Sequence, residues 1–151
     1  MKTPGSILIT TPTGRIFSAR MAPEVVYFYF EGHTDLPMFE PSMVIVNEVL
    51  RTGRAELYGD GETWKSYVSG YRDAWTQWFL RNRRQLAHTH LVIRAPLLRM
   101  GVQVVNLVAS SPIEALDDSA ELYRRLRARV PRARELAADW PADIASRLRG
   151  R

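Results

Sequence analysis

Apolar and polar positions change rhythm several times along the chain, and each change marks an element. "SILIT" and "RIFSARM" alternate with the period of a strand and flank "TPTGR", where Pro12 and Gly14 supply turn chemistry, so the two predict a hairpin. "VVYFYFEGHT" (Val25 to Thr34) is β-branched and aromatic throughout, which predicts a strand covered on both faces and central in its sheet. From Pro37 the period lengthens. Phe39, Met43, Val46 and Leu50 form one helical stripe, with Pro41 in the first turn and Gly53 expected to end the helix in a left-handed cap. "AELYGDG" reads as a short strand that stops at a Gly59-Asp60-Gly61 loop. Beyond it Trp64, Tyr67, Val68, Tyr71, Trp75, Trp78, Phe79 and Leu86 recur at threes and fours, while Lys65, Arg72, Asp73, Gln77, Arg81 and Arg84 fall mainly elsewhere. This predicts a long amphipathic helix whose aromatic face lies on the sheet.

"HTHLVIR" is the next strand, closed by Pro96, and "LLRMGVQVVNLVAS" a mostly apolar helix in which Gly101 permits close approach. "SSPIE" carries a helix-start signature: Ser111 as N-cap, Pro112 at the first position, Glu114 three residues after the cap. Asp117, Asp118 and Glu121 early and Arg124, Arg125, Arg127 and Arg129 late suit the helix dipole, and Pro131 and Pro141 divide the rest into short helices. A hairpin followed by alternating strands and helices predicts an α/β fold: a mixed β-sheet of about five strands with helices mainly on one face.

Composition narrows the class. At 151 residues, 46% hydrophobic and 25% charged, the chain has the length and balance of one globular domain, which excludes a disordered or fibrous protein. No apolar run approaches the roughly 18 residues of a membrane span, and "MKTPGSILIT" is too short in its apolar part for a secretory leader, so a cytoplasmic location is expected. The absence of cysteine excludes disulfides and thiolate chemistry. A net charge of +5 invites a nucleic-acid reading, but only Lys2 and Lys65 are lysines. An arginine-heavy composition explains the charge without a nucleic-acid partner, and none is expected.

Candidate chemistry is sparse. His88 and His90, two apart on a strand, point to one face, the arrangement of a shared metal ion, with His33 and Asp35 as the further ligands a site would need. Two strand histidines alone are read as structural, so no metal or cofactor is expected. An enzyme would need His33, His88 and His90 to meet in a cleft. Glu31, Asp35, Glu40 and Asp60 lie at or after strand ends, where acid–base carboxylates sit in open α/β sheets, but turns and caps use the same residues. The chain has no Gly-x-Ser-x-Gly elbow, phosphate-binding glycine loop or His-Glu-x-x-His motif, and a non-enzymatic protein is expected.

"TPTGRI", "VVYFYFEGHTDLPMF", "AELYGDGETWKSYVSGYRDAWTQWFLRNR" and "HTHLVIRAPLLRMGVQVVNLV" together resemble small bacterial STAS-like proteins of the SpoIIAA-like type, distantly linked to CRAL-TRIO lipid-transfer domains, over about residues 5 to 110. The resemblance implies a single STAS-like domain over 1–151, with 111–151 a C-terminal helical extension. It also implies no cofactor, and regulation by contact with a protein partner or by sensing a small ligand. Anti-sigma-factor antagonists of this fold carry a phosphorylatable serine in Asp-Ser-Ser or Asp-Ser-Thr, where this chain has Asp60, Gly61 and Glu62, so the motif is missing. Thr63 and Ser66 remain as acceptors near an expected helix N-terminus, opposed by Glu62. Asp60, Thr63 and Ser66 are thus the expected partner-binding residues. The alternative is a small-molecule or lipid pocket between helices and sheet lined by Trp75, Phe79 and Met100, and the apolar helix Leu97 to Val108 offers a homodimer face.

Overall fold

A computed structural model describes residues 5–109 and 113–150. Six strands form one sheet in the order β1 (Ser6–Thr10), β2 (Gly14–Ala22), β3 (Val25–Thr34), β4 (Ala55–Tyr67), β5 (Leu86–Ile93) and β6 (Ile113–Leu116). The first three pair antiparallel and β3 to β6 pair parallel, so the sheet is mixed, with six strands instead of about five. The added strand is Ile113–Leu116, in the segment expected to open a helix. Ser111 and Pro112 of that expected start lie outside the described residues.

Strand order equal to chain order decides where the helices go. Right-handed crossovers that step steadily across a parallel sheet all land on the same side. Between β3 and β4 come a 3-10 turn at Leu36–Met38 and the helices α1 (Phe39–Ser42) and α2 (Val44–Thr52), with α3 (Ser69–Asn82) and α4 (Pro96–Ala109) in the two crossovers that follow. The other face is covered by α5 (Ser119–Arg129), α6 (Ala133–Leu136), a 3-10 turn at Ala137–Asp139 and α7 (Ala142–Leu148). Asp118 is the N-cap of α5, its carboxylate accepting from the Ala120 N–H at 2.9 Å.

There are therefore two cores. Val26, Phe28 and Phe30 of β3 join the core under α1 to α4, while Val25, Tyr27 and Tyr29 join the one under α5 to α7, as a strand buried on both faces requires. The aromatic side chains of α3 turn inward: Tyr71, Trp78 and Phe79 are buried and Trp75 partly so.

The largest departure from the sequence reading is β4. It runs thirteen residues, through Gly59-Asp60-Gly61 and on to Tyr67, and α3 begins only at Ser69. Two register irregularities against β3, at Tyr29/Glu31 and Gly32/His33, each place an extra β4 residue in the strand. Glycines here mark close packing rather than a turn: a Cβ on Gly61 would stand 2.7 Å from the Val92 carbonyl oxygen. Gly53 is also not a left-handed cap; its φ of 171° is extended backbone.

Candidate functional site

Between the sheet and helices α3 and α4 lies an apolar cavity of about 70 Å³. Phe28, Phe30, Leu57, Gly59 and Leu91 form its floor, Tyr71, Trp75 and Phe79 its α3 wall, and Leu98, Gly101, Val102 and Val105 its α4 wall. Two glycines shape it. A Cβ on Gly59 would press on Leu91 Cδ1 at 2.7 Å, and one on Gly101 would strike the Tyr67 hydroxyl, so the missing side chains leave floor space and let the Tyr67 ring slide beneath α4. Aromatic packing stiffens the walls: Phe30 stacks on Trp64 at 4.4 Å, and Trp75 meets Phe28 and Phe39 edge-on at 5.7 and 5.5 Å.

Most polar groups of this core are satisfied. The Trp64 indole N–H donates to Thr34 Oγ1 at 3.1 Å and that of Trp78 to Asn47 Oδ1 at 2.8 Å. Two groups on the cavity wall are not: among the described residues the Tyr71 hydroxyl and the neighbouring Trp75 indole N–H are buried without a well-formed hydrogen bond. Burial pushes the Tyr71 phenol well above its ordinary value, so it stays a neutral hydroxyl. The Arg72 guanidinium also lines the cavity, 3.8 Å from the Asp73 carboxylate.

Of the three residues named for a ligand pocket, Trp75 and Phe79 line this cavity and Met100 does not. It is 61% exposed on the outward face of α4 with Leu97, Val104, Leu107 and Val108, because Leu98, Gly101 and Val105 take the inward phase of the helix.

The expected partner-binding trio does not form an exposed loop. Asp60 has no exposed surface: Oδ1 accepts from the Glu62 N–H at 3.1 Å, and Oδ2 from the Arg147 Nε–H at 2.7 Å and from the Tyr123 hydroxyl. Tyr27 extends this network through a 2.7 Å contact with the Tyr123 hydroxyl, and Arg147 also donates to Glu62 at 2.5 Å. Asp60 is an internal anchor for α7. Thr63 and Ser66, half-buried on β4, are not at a helix N-terminus; Thr63 Oγ1 lies 3.2 Å from the Tyr29 hydroxyl and Ser66 Oγ 2.7 Å from His33 Nδ1.

His33 does not meet the other histidines. It pairs in register with Ser66, whereas His90 pairs with Tyr58 eight residues back along β4, about 26 Å at strand rise. The four carboxylates are equally scattered: Glu31 pairs with Arg15, Asp35 opens the 3-10 turn, Glu40 is exposed in α1, and Asp60 is the α7 anchor. What sequence reasoning missed is the α5–α7 side of the network, Tyr123 and Arg147, whose partners lie 63 and 87 residues away.

No protein-family model matches the chain, and no curated protein matches it. Among solved structures, an uncharacterised DUF3478-family protein with a SpoIIAA-like fold, from Shewanella loihica PV-4, matches with a TM-score of 0.51 at 12% sequence identity, covering 83% of this chain and 98% of that one. At that identity the likeness speaks for the fold, which is SpoIIAA-like.

Proposed function

We propose that this SpoIIAA-like domain is a non-enzymatic regulatory module that takes a small, mainly apolar ligand bearing a hydrogen-bond acceptor into the cavity beneath α4. One observation carries the reading: in a mainly apolar cavity, two neighbouring wall groups able to donate, Tyr71 and Trp75, are buried without a well-formed hydrogen bond among the described residues. A buried polar group without a partner costs about 1–3 kcal/mol, and a ligand acceptor would recover part of that. The cavity of about 70 Å³ holds a short chain or small fragment, so a longer ligand must displace α4 outward.

Native mass spectrometry of gently purified protein, followed by titration with octanoic acid under tryptophan fluorescence, tests this. The expected outcome is a retained adduct and saturable quenching. Both are lost in Val102→Phe, which fills the cavity, and octanoate affinity falls about fivefold in Tyr71→Phe, the worth of one hydrogen bond. No adduct and no octanoate response would overturn the proposal.

A second reading has its own observation. The contact surface expected around Asp60 is buried, but the outward stripe of α4 is apolar and open, with Leu107 84% exposed. It carries no charge, which suits a two-fold contact with a second copy of the chain.

A further inference from the structure

On the opposite face of the sheet, β5 and β6 bring three metal-ligating side chains together. His88 and His90 are two apart on β5, so their rings share a face and stack at 4.7 Å. Glu114 on β6 pairs in register with His90 and carries its carboxylate between them. Glu114 Oε1 lies 3.9 Å from His88 Nε2 and 4.0 Å from His90 Nδ1, and the three ligand atoms are within 4.8 Å of one another. Behind His90, Glu56 Oε1 stands 4.0 Å from Nε2 and accepts from the Tyr58 hydroxyl, which places a second carboxylate beside the cluster.

A cation already sits at this focus. Arg125 NH1 is 3.0 Å from Glu114 Oε1 and 3.2 Å from His90 Nδ1. Through Nε the same guanidinium holds Glu121 at 2.7 Å, so it keeps an ion pair when it gives up the other two groups. The cluster opens onto a groove bordered by Tyr58, Ala87, Arg124 and Ala128, which gives an ion a solvent route.

We propose that His88 Nε2, His90 Nδ1 and Glu114 Oε1 form a site for a divalent ion of the zinc class, with Arg125 as the group the ion displaces. Two imidazoles and one carboxylate suit a borderline ion with water in the fourth position and are a poor set for magnesium or calcium. A tetrahedral ion with bonds of about 2.0–2.1 Å needs ligand atoms about 3.3 Å apart, so the side chains close by roughly 1 Å, within rotamer adjustment. This site and the apolar cavity lie on opposite faces of the sheet, and each stands or falls alone.

Cobalt(II), a coloured stand-in for zinc, is titrated into the chelator-treated full chain and displaced with zinc. The expected result is an intense tetrahedral visible spectrum saturating at one ion per chain. His88→Ala and Glu114→Gln each weaken affinity at least about tenfold, and Arg125→Gln strengthens it. His88 is half exposed, so its alanine variant keeps the fold. Absence of the one-to-one spectrum, or a His88→Ala protein that titrates like the parent, overturns the site. Weaker binding in Arg125→Gln overturns the role given to Arg125.

Discussion

The Asp60 carboxylate, fully enclosed, accepts from a guanidinium, a phenol and a backbone amide at once. Removing it leaves the buried Tyr123 hydroxyl with Tyr27 alone and the partly exposed Arg147 with Glu62 alone, so Asp60→Ala is expected to lose about 1–3 kcal/mol in a urea unfolding curve, the cost of under-satisfied buried polar groups. Loss of partner capture in that variant would therefore report unfolding as readily as a lost contact. Side chains differed in how plainly the sequence placed them. Tyr71, Trp78 and Phe79 are large and apolar at helical spacing, so their inward direction could be read directly. Met100 could not be placed, because α4 is apolar on both faces and the stripe chosen by the sheet is not marked by polar residues. Asp60 misled because a carboxylate between two glycines has the composition of a turn, and its partners lie far along the chain.

At the level of elements, β3 and α3 were legible from their periods, while β4 was hidden by its own irregularities. Two extra residues break strict alternation, and the period-two signal fades where the strand continues. β6, four residues long, is too short to show a period. Helix α7 shows a different dependence, on charge. It is fastened by Arg147 to Asp60 and Glu62 and by Asp143 to Arg15, which also holds Glu31. Hydrogen bonds from these arginines lower the pKa of Glu62, Glu31 and Asp143. A depressed carboxylate stabilises above its unfolded pKa and loses that contribution as pH falls through its folded value. Stability is thus expected to be flat in this respect above about pH 5 and to fall below about pH 4. Hydrogen exchange should show the amides of α7 losing protection before those of β3. Uniform loss across both would contradict this order.

For the molecule as a whole, one sheet divides two kinds of interior. The α1–α4 side is apolar and retains a cavity; the α5–α7 side carries a buried polar network and a rim of ion pairs. Arginine accounts for most of the positive charge, and Arg15, Arg99, Arg124, Arg125, Arg129 and Arg147 are all engaged with carboxylates of the chain itself. The net +5 thus coexists with extensive internal pairing. Among the described residues no helix is long and apolar enough to cross a membrane. The outward stripe of α4 is left as the surface to test for self-association. Light scattering at micromolar concentration is expected to give a dimer for the parent chain and a monomer for Leu107→Asp, with an unchanged melting temperature because Leu107 is 84% exposed. A monomeric parent would remove that reading.

The clasp between Asp60 and Arg147 spans 87 residues. On the ribosome, β3 and β4 emerge long before α7, and until then the carboxylate has no guanidinium to neutralise it. Nascent sheet must stay open or hydrated on that side, and closure of the second core waits for synthesis to pass α7.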